Sequence, residues 1–256
     1  MIRFRALALP LLMTAVGLAV LIGLGTWQFE RREWKLALIE RIEARAHADP
    51  IPLAAAMRRW EESGDIEYLR LALTGRFLHD HERHLYTIVD GRAGWQVITP
   101  LQTPGGEIVL VDRGFVPEER KDAATRREGQ LQGSVRLTGL ARAAGRPSWF
   151  TPDNRPGLNR WFWRDIPGMT ASLPPALGDG PAPFVVEAEA APVSGGWPRG
   201  GVTRLELPNR HLEYAITWFG LAAALIAVFA LYARRRLSQA ASAKGDAGVA
   251  DQTGSV

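Results

Sequence analysis

The sequence contains no cysteine, and this absence restricts the chemistry that the protein can perform. A disulfide framework is excluded, as are a thiolate zinc site and a copper carrier built on cysteine. The sequence also lacks the Gly-x-Ser-x-Gly, Walker, His-Glu-x-x-His and dinucleotide-binding signatures. Carboxylates are dispersed along the chain, so no acid–base pair can be assigned. These absences disfavour an enzyme.

The charge balance gives no sign of a nucleic-acid partner. The 256 residues carry 31 Lys and Arg against 27 Asp and Glu, a formal net charge of +4. The arginines are scattered rather than gathered into a basic stripe, and no nucleic-acid-binding motif is present. We therefore expect no nucleic acid among the partners.

Two long runs without charged residues, Ala6–Phe29 and Tyr214–Ala233, predict transmembrane helices at residues 6–29 and 212–233. At about 1.5 Å per residue, each run is long enough for a hydrocarbon core of about 30 Å. A cleaved signal peptide is the alternative for the first run. Signal peptides have apolar regions of only about 7–15 residues, and no small-residue cleavage site follows this run. An uncleaved anchor is therefore preferred.

The arginine triplet Arg234–Arg236, directly after the second run, indicates a cytoplasmic C-terminus by the positive-inside rule. Two spans then place the N-terminus in the cytoplasm as well. Residues 30–208 would lie outside it, in the periplasm if the source is a Gram-negative bacterium. We expect a multi-pass protein of the inner (plasma) membrane. The segment 237–256 is rich in Ala, Ser and Gly and is expected to be a disordered cytoplasmic tail.

Small residues recur at i, i+4 spacing in both apolar runs, and such ridges let membrane helices approach closely. The simpler explanation is that small residues are common in membrane helices. A paired hairpin of the two spans remains compatible with the pattern. The residues are Ala15, Ala19 and Gly23 in the first run and Gly220 and Ala224 in the second.

Between the spans, the hydrophobic pattern changes from helical to strand-like. A helical extension is predicted over residues 30–49 and is ended by Pro50 and Pro52, and a short helix is predicted around Leu53–Glu62. Seven short strand-like runs follow, separated by turn signals, and a polar insert, PEERKDAATRREGQ, favours helix. The runs are YLRLALTGRFL, HLYTIV, WQVITPL, EIVLVDRGFV, SVRLTGLAR, PFVVEAEA and VTRLEL.

This pattern predicts the fold class. We expect an α+β membrane protein in which two transmembrane helices, one N-terminal and one C-terminal, flank a β-rich antiparallel barrel or sandwich domain with few helices. The turn TPGGE between the third and fourth runs predicts a hairpin. The sequence does not distinguish a closed barrel from two packed sheets.

Two clusters in this domain are candidate sites that also have simple structural explanations. The density of His79, His81 and His84 would suit a metal site, but no matching ligands appear elsewhere and a solvated hairpin turn is preferred. The aromatic run at residues 161–163, Trp-Phe-Trp, would stack on a flat partner or pack onto the β-rich domain. Packing is the preferred interpretation.

Several separated stretches occur in an order that resembles the surfeit locus (SURF-one) family of cytochrome c oxidase assembly proteins. The resemblance covers nearly all of the chain from Leu24 to Arg236, and its specificity comes from the order of the motifs between two terminal spans. The stretches are LGTWQFERREWKLALIERI, YLRLALTGRFL, GWQVITPL, IVLVDRGFVPEER, WFWRDIPGM and PNRHLEYAITWFG.

The resemblance implies a membrane-anchored, non-enzymatic chaperone that assists assembly of a respiratory-chain haem-copper oxidase. It implies haem a as the bound cofactor, and the oxidase catalytic subunit and haem a synthase as partners. A haem-independent scaffold that stabilises the catalytic subunit is the alternative. The family motif Asn-x-His-x-x-Tyr matches Asn209, His211 and Tyr214, so His211 is the implied ligand of the haem iron.

The chemistry around His211 is compatible with that role. Asn209 is expected to cap the second span, and the positive end of the helix disfavours a protonated imidazole. Iron coordination needs the neutral form. Tyr214, Ala215 and Trp218 follow at helical spacing on the same face. Ala215 would leave room for a macrocycle that Tyr214 and Trp218 flank.

The alternative is that His211 and Tyr214 are interfacial residues that fix the depth of the helix in the membrane. If haem binds there, Arg204 and Arg210 are placed to pair with its propionates. Two positions elsewhere depart from the family pattern. Phe115 stands where Trp is frequent, which should keep the packing, and Gln96 stands where His is frequent, which argues against a second ligand from that strand.

Overall fold

Two long terminal helices and a β-sheet between them make up this computed structural model, which describes residues 2–177, 181–203, 205 and 207–252. The chain divides into two units. One contains Met1–Ile39 and Leu207–Val256, and the other is Glu40–Glu206. The α-helices of the described residues are α1 (Ile2–Ala46), α2 (Leu53–Ser63), α3 (Ile166–Ala171) and α4 (His211–Gln252).

Both terminal helices are long and apolar enough to cross a membrane, as the two uncharged runs predict. The first span and the predicted extension form one continuous helix, because nothing between them terminates it. α1 ends at Ala46, shortly before Pro50. The short predicted helix is confirmed as α2, which Gly64 ends in a left-handed conformation.

The second long helix differs from the prediction at its C-terminal end. α4 continues to Gln252, through most of the segment 237–256 for which composition predicts disorder. Alanine, frequent in this segment, has the highest helix propensity of all residues, so a helix that has already formed can extend through it. Residues 253–256 lie outside the described part of the chain.

Seven strands of the described residues form one mixed sheet in the order β1-β2-β6-β7-β5-β4-β3, and a short additional pairing joins β2 to β4. That pairing closes a circuit of five strands, β2-β6-β7-β5-β4, as in a small barrel. The strands are β1 (Ile51–Pro52), β2 (Arg70–Phe77), β3 (Arg83–Val89), β4 (Arg92–Gln102), β5 (Ile108–Pro117), β6 (Val135–Arg142) and β7 (Val185–Ala188).

Two details of the predicted sheet are wrong. The pairings β1–β2 and β5–β7 are parallel, so the sheet is not entirely antiparallel. A long connection after β6 lets β7 enter antiparallel to β6 and beside β5, which makes it parallel to β5. In the run VTRLEL, the described residues Val202, Thr203, Leu205 and Leu207 are not in a strand, while Arg204 and Glu206 lie outside the described residues. The seventh strand is β1 instead.

The central strand β5 is buried along its whole length, because its alternating side chains enter two different cores. Val109 and Val111 lie in the core inside the circuit of strands, together with Phe184. Leu110 points to the other face and packs with Trp161. The TPGGE hairpin is confirmed: β4 and β5 pair antiparallel across it.

A buried ionic cluster attaches the polar insert to the sheet. Glu82 accepts hydrogen bonds from Arg113 on β5, at 3.2 Å, and from Arg126 in the insert, at 2.5 Å. All three side chains are at most 5% exposed. Burial alone would raise the pKa of Glu82, but hydrogen bonds from His79 and Arg126 and the charges of both arginines lower it to about 2. The insert itself forms two short 3-10 segments, Glu118–Arg120 and Ala123–Gly129.

We expect Glu82→Gln to destabilise the domain by about 3–5 kcal/mol, because it leaves two buried arginines without a counter-charge. Urea unfolding of the full chain in detergent, followed by circular dichroism, measures the change. Glu107→Gln, at an exposed turn residue, is the matched control and should change the free energy of unfolding by less than about 0.5 kcal/mol. Equal stability of the two variants would contradict the proposed importance of the cluster.

A second buried carboxyl makes stability depend on pH. Burial, together with the negative charge of Glu187, raises the pKa of Asp112 to about 7, from an ordinary value of 3.8. The folded state therefore holds a proton that the unfolded state releases between about pH 4 and pH 7. Stability should fall as the pH rises through that range and stay level above it.

We expect Asp112→Asn to remove this dependence, because the amide oxygen can still accept the 2.9 Å hydrogen bond from the Gly114 N–H. The parent should lose up to about 1.4 kcal/mol per pH unit relative to the variant between pH 4 and pH 7. Urea midpoints of both proteins across this range test the prediction. Parallel curves would show that Asp112 titrates at its ordinary pKa in the folded state.

Candidate functional site

The predicted site at the start of α4 contains one contact that the sequence did not reveal. His211 Nδ1 lies 2.7 Å from the side-chain oxygen of Gln28 on α1. Because that oxygen can only accept a hydrogen bond, Nδ1 carries the proton and donates it. The lone pair of the neutral ring is then on Nε2. Histidines that bind metals usually donate their other ring N–H in this way.

The contact belongs to a longer packing surface between α1 and α4. The less exposed residues of α4 recur at alternating spacings of four and three: His211, Ala215, Trp218, Ala222 and Leu225. This is the seam of two helices packed at a shallow angle. Pairs such as Gly25–Phe219 and Gly17–Leu225 show that the helices run antiparallel.

The paired hairpin is thus present, but the small residues at the contact are not the predicted ones. A methyl group added to Gly25 would lie 2.7 Å from the ring of Phe219, and one added to Gly17 would lie 3.0 Å from Leu225. By contrast, neither Gly23 nor Gly220 has a described atom within 4 Å of such a methyl group. The i, i+4 pattern therefore selected the wrong face of each helix.

The face expected to hold a macrocycle is partly occupied by this helix contact. Ala215 is 0% exposed, so it does not leave an open space beside His211, and that expectation is wrong. Trp218 lies on the same seam and is half-buried, and its indole N–H has no hydrogen-bond acceptor among the described residues. Tyr214 is 55% exposed and lies outside the seam. His211 and Trp218 are thus on one face, whereas Tyr214 is beside it.

Asn209 does not cap the helix as predicted. α4 begins at His211, and the first helical acceptor is the carbonyl of Arg210, which receives the Tyr214 N–H at 3.4 Å. Asn209 is one residue too early for the capping position, and its side-chain oxygen is buried without a described hydrogen-bond donor. Arg210 pairs with Glu213 at 3.4 Å. Arg204 lies outside the described residues.

The histidine cluster of the β-rich domain serves the fold. His79 and His81 bound a short 3-10 turn, and the His79 ring bonds the carbonyl of Leu131 at 2.9 Å. His84 accepts a 3.2 Å hydrogen bond from Asn159, and burial lowers its pKa to about 4. No group of three metal-ligating side chains occurs in the part of the chain that the structure describes. The cluster is accordingly neither a metal site there nor a fully solvated turn.

Two of the aromatic positions singled out in the sequence, Trp161 and Phe115, are buried, whereas Phe162 and Trp163 are partly exposed. Trp161 is fully buried, which confirms the packing interpretation for this residue. Phe162 lies on Tyr86, with ring centroids 6.1 Å apart. Phe115 is buried and meets Trp197 edge to face at 6.3 Å, so an aromatic side chain fills this position as expected.

A polar cavity of about 490 Å³ beside β3 contains a buried carboxylate that is already paired. Glu187 accepts hydrogen bonds from Arg142, Arg164 and Thr203. Gln96 also lines this cavity and, being an amide, does not supply a histidine ligand there. These contacts tie β7 to β6 and to the loops that carry Arg164 and Thr203, which indicates a structural role for Glu187.

Gln28 is the residue of this site that sequence reasoning missed. The available signal was an amide side chain in the last turn of an otherwise uncharged, mostly apolar run. Polar side chains at that depth commonly bond across to a neighbouring helix. Its partner could not be identified without knowing how α1 and α4 pair.

We expect Gln28→Leu to leave the tautomer of His211 unfixed, because the Nδ1–H loses its hydrogen-bond acceptor. NMR of the full chain with ¹⁵N-labelled histidine should show Nδ1 protonated in the parent and a mixture of tautomers in the variant. Thr26→Val is the control, since the Thr26 hydroxyl bonds only the Ile22 carbonyl of its own helix. A parent that already shows Nε2 protonated would disprove the assigned hydrogen bond.

Comparison with known proteins adds an independent result. The sequence model described as the SURF1 family matches residues 15–223. Surfeit locus protein 1 of Mus musculus is 38% identical over 224 residues, which cover 80% of this chain and 70% of that protein. The human protein of the same name is 38% identical, over 79% and 70% respectively. A SURF1-like protein of Monosiga brevicollis is 39% identical over 84% of both chains.

Proposed function

The chain belongs to the SURF1 family, and on this premise we propose that it is a membrane-anchored assembly factor for a haem-copper oxidase. In this proposal it binds haem a as a cargo and assists its insertion into the oxidase catalytic subunit. The protein performs no catalysis of its own. Its partners are the catalytic subunit and haem a synthase, in the inner (plasma) membrane, with the β-rich domain in the periplasm and both termini in the cytoplasm.

The observation that carries the haem proposal is the Gln28–His211 hydrogen bond. A haem supplies an iron whose axial position a neutral imidazole can fill. His211 fits this need, because its Nδ1 is committed to Gln28 at 2.7 Å and its Nε2 keeps the lone pair. The polar atoms of Asn209 and Trp218 that have no described partner add hydrogen-bonding capacity at the same end of the helix pair.

The other named residues have supporting roles in this proposal. Tyr214, exposed beside the seam, offers a phenol to a propionate, and Arg210 offers a guanidinium at the cost of its contact with Glu213. His211 alone is the proposed metal ligand. His211 is partly exposed, and the cargo would reach it away from the seam along which Ala215 and Trp218 pack.

A haem-independent scaffold is the second candidate, and one observation favours it. Ala215 and Ala222 are buried in the contact between α1 and α4, so the face that sequence reasoning assigned to a macrocycle holds the helices together instead. In that case, His211 and Gln28 stabilise the helix pair. The oxidase subunit would then be the only ligand of this protein.

The two candidates predict different results for His211→Ala. Under the haem proposal, the full chain co-expressed with a haem a biosynthesis pathway should purify with roughly ten-fold less haem a than the parent, because the axial ligand is lost. Absorption spectra of the purified proteins measure the occupancy. His47→Ala, at an exposed histidine of the other unit, is the matched control and should keep the occupancy of the parent.

Circular dichroism must show that the His211→Ala variant retains its β-rich domain. If the parent purifies without haem a and the variant still supports oxidase assembly, the scaffold is correct. Equal haem occupancy in parent and variant would place the iron ligand elsewhere.

A further inference from the structure

The connection between β6 and α3 holds two aromatic side chains that are largely exposed to solvent. Trp149 is 95% exposed and Phe150 is 72% exposed. Their rings meet edge to face, with centroids 5.5 Å apart. Exposed apolar surface is unfavourable in water, and contiguous aromatic exposure marks a contact with another phase or molecule. We call Ser148–Thr151 the aromatic tip.

The aromatic tip has a defined conformation. The Ser148 N–H donates to the hydroxyl of Thr151 at 3.0 Å, and the Thr151 N–H donates to the carbonyl of Ser148 at 3.0 Å. The two hydroxyls also bond each other at 2.7 Å. Pro147 and Pro152 flank the tip and restrict its backbone. The two aromatic residues are therefore held outward before any partner binds.

Basic residues surround the tip. In residues 145–160 the charged side chains are three arginines and one aspartate. All four are exposed, and Leu158, 62% exposed, adds a further apolar group. Tryptophan beside arginine is the combination found where proteins meet lipid headgroups. The charged residues are Arg146, Asp153, Arg155 and Arg160.

We propose that the aromatic tip inserts into the lipid–water interface of an anionic bilayer, the same membrane that holds α1 and α4. The size of the tip favours lipid over a protein partner. Two aromatic side chains bury roughly 150–250 Å² each, whereas a stable protein interface buries about 800 Å² per partner. An insertion this small is sufficient here, because the helices at both ends of the chain already confine the domain to the membrane.

The lack of cysteine allows a direct test on the full chain. Phe150→Cys, labelled with the fluorophore NBD, reports on the tip while Trp149 remains. Glu107→Cys on the β4–β5 turn, labelled in the same way, is the matched control. Both proteins are reconstituted in nanodiscs of phosphatidylcholine alone or of phosphatidylcholine with 30% phosphatidylglycerol. Each composition is prepared with and without a lipid that carries a spin label in the headgroup region. Quenching of NBD fluorescence by the spin-labelled lipid is then compared with quenching by iodide in the aqueous phase.

At position 150 we expect at least a two-fold loss of fluorescence with the spin-labelled lipid and protection from iodide, both stronger in the anionic nanodiscs. Adding Trp149→Ser should reduce the lipid quenching at position 150. The label at position 107 should stay accessible to iodide. A label at position 150 that iodide quenches as strongly as the one at 107, in both lipid compositions, overturns the proposal. Shielding that appears only after an oxidase subunit is added overturns it too and assigns the tip to a protein partner.

Discussion

The complete burial of β5 is the constraint on which the β-rich domain depends. A strand buried on both faces needs two separate coverings. One face of β5 is covered by the core inside the circuit of strands that the β2–β4 pairing closes. The other face is covered by the chain between β6 and β7, which contributes Trp161. The two ionisable residues of β5 must also be accommodated. Arg113 pairs with Glu82 beside Arg126, and Asp112 accepts a hydrogen bond from the Gly114 N–H, while burial and the neighbouring charge of Glu187 raise its pKa.

The same outer covering explains why some aromatic residues lie inside the domain and others outside. The chain between β6 and Trp161 carries the exposed Trp149 and Phe150 before it brings Trp161 into the core. Burial of one aromatic group and exposure of another thus come from a single long connection. Sequence alone does not separate them, because both occur in loops rich in proline and glycine.

Most elements of the fold were predictable from hydrophobic periodicity. Both terminal helices, α2, the β4–β5 hairpin and six of the strands follow local patterns that depend on neighbouring residues alone. The parallel β5–β7 pairing was not predictable, since it depends on where the long connection after β6 returns β7. The role of His211, inferred from its motif, stays a prediction. Its contact with Gln28 and the burial of Ala215 could not be predicted, because they depend on the pairing of two helices about 180 residues apart in the sequence.

The hydrogen bond between Gln28 and His211 joins two helices, so it couples the imidazole to helix pairing. Two processes that share one group must influence each other equally. If His211 holds a cargo, whatever draws α1 and α4 together strengthens that hold, and a partner that separates them weakens it. Release of the cargo would then need no competing ligand. A membrane protein that packs against either helix could trigger it by changing the distance between the two.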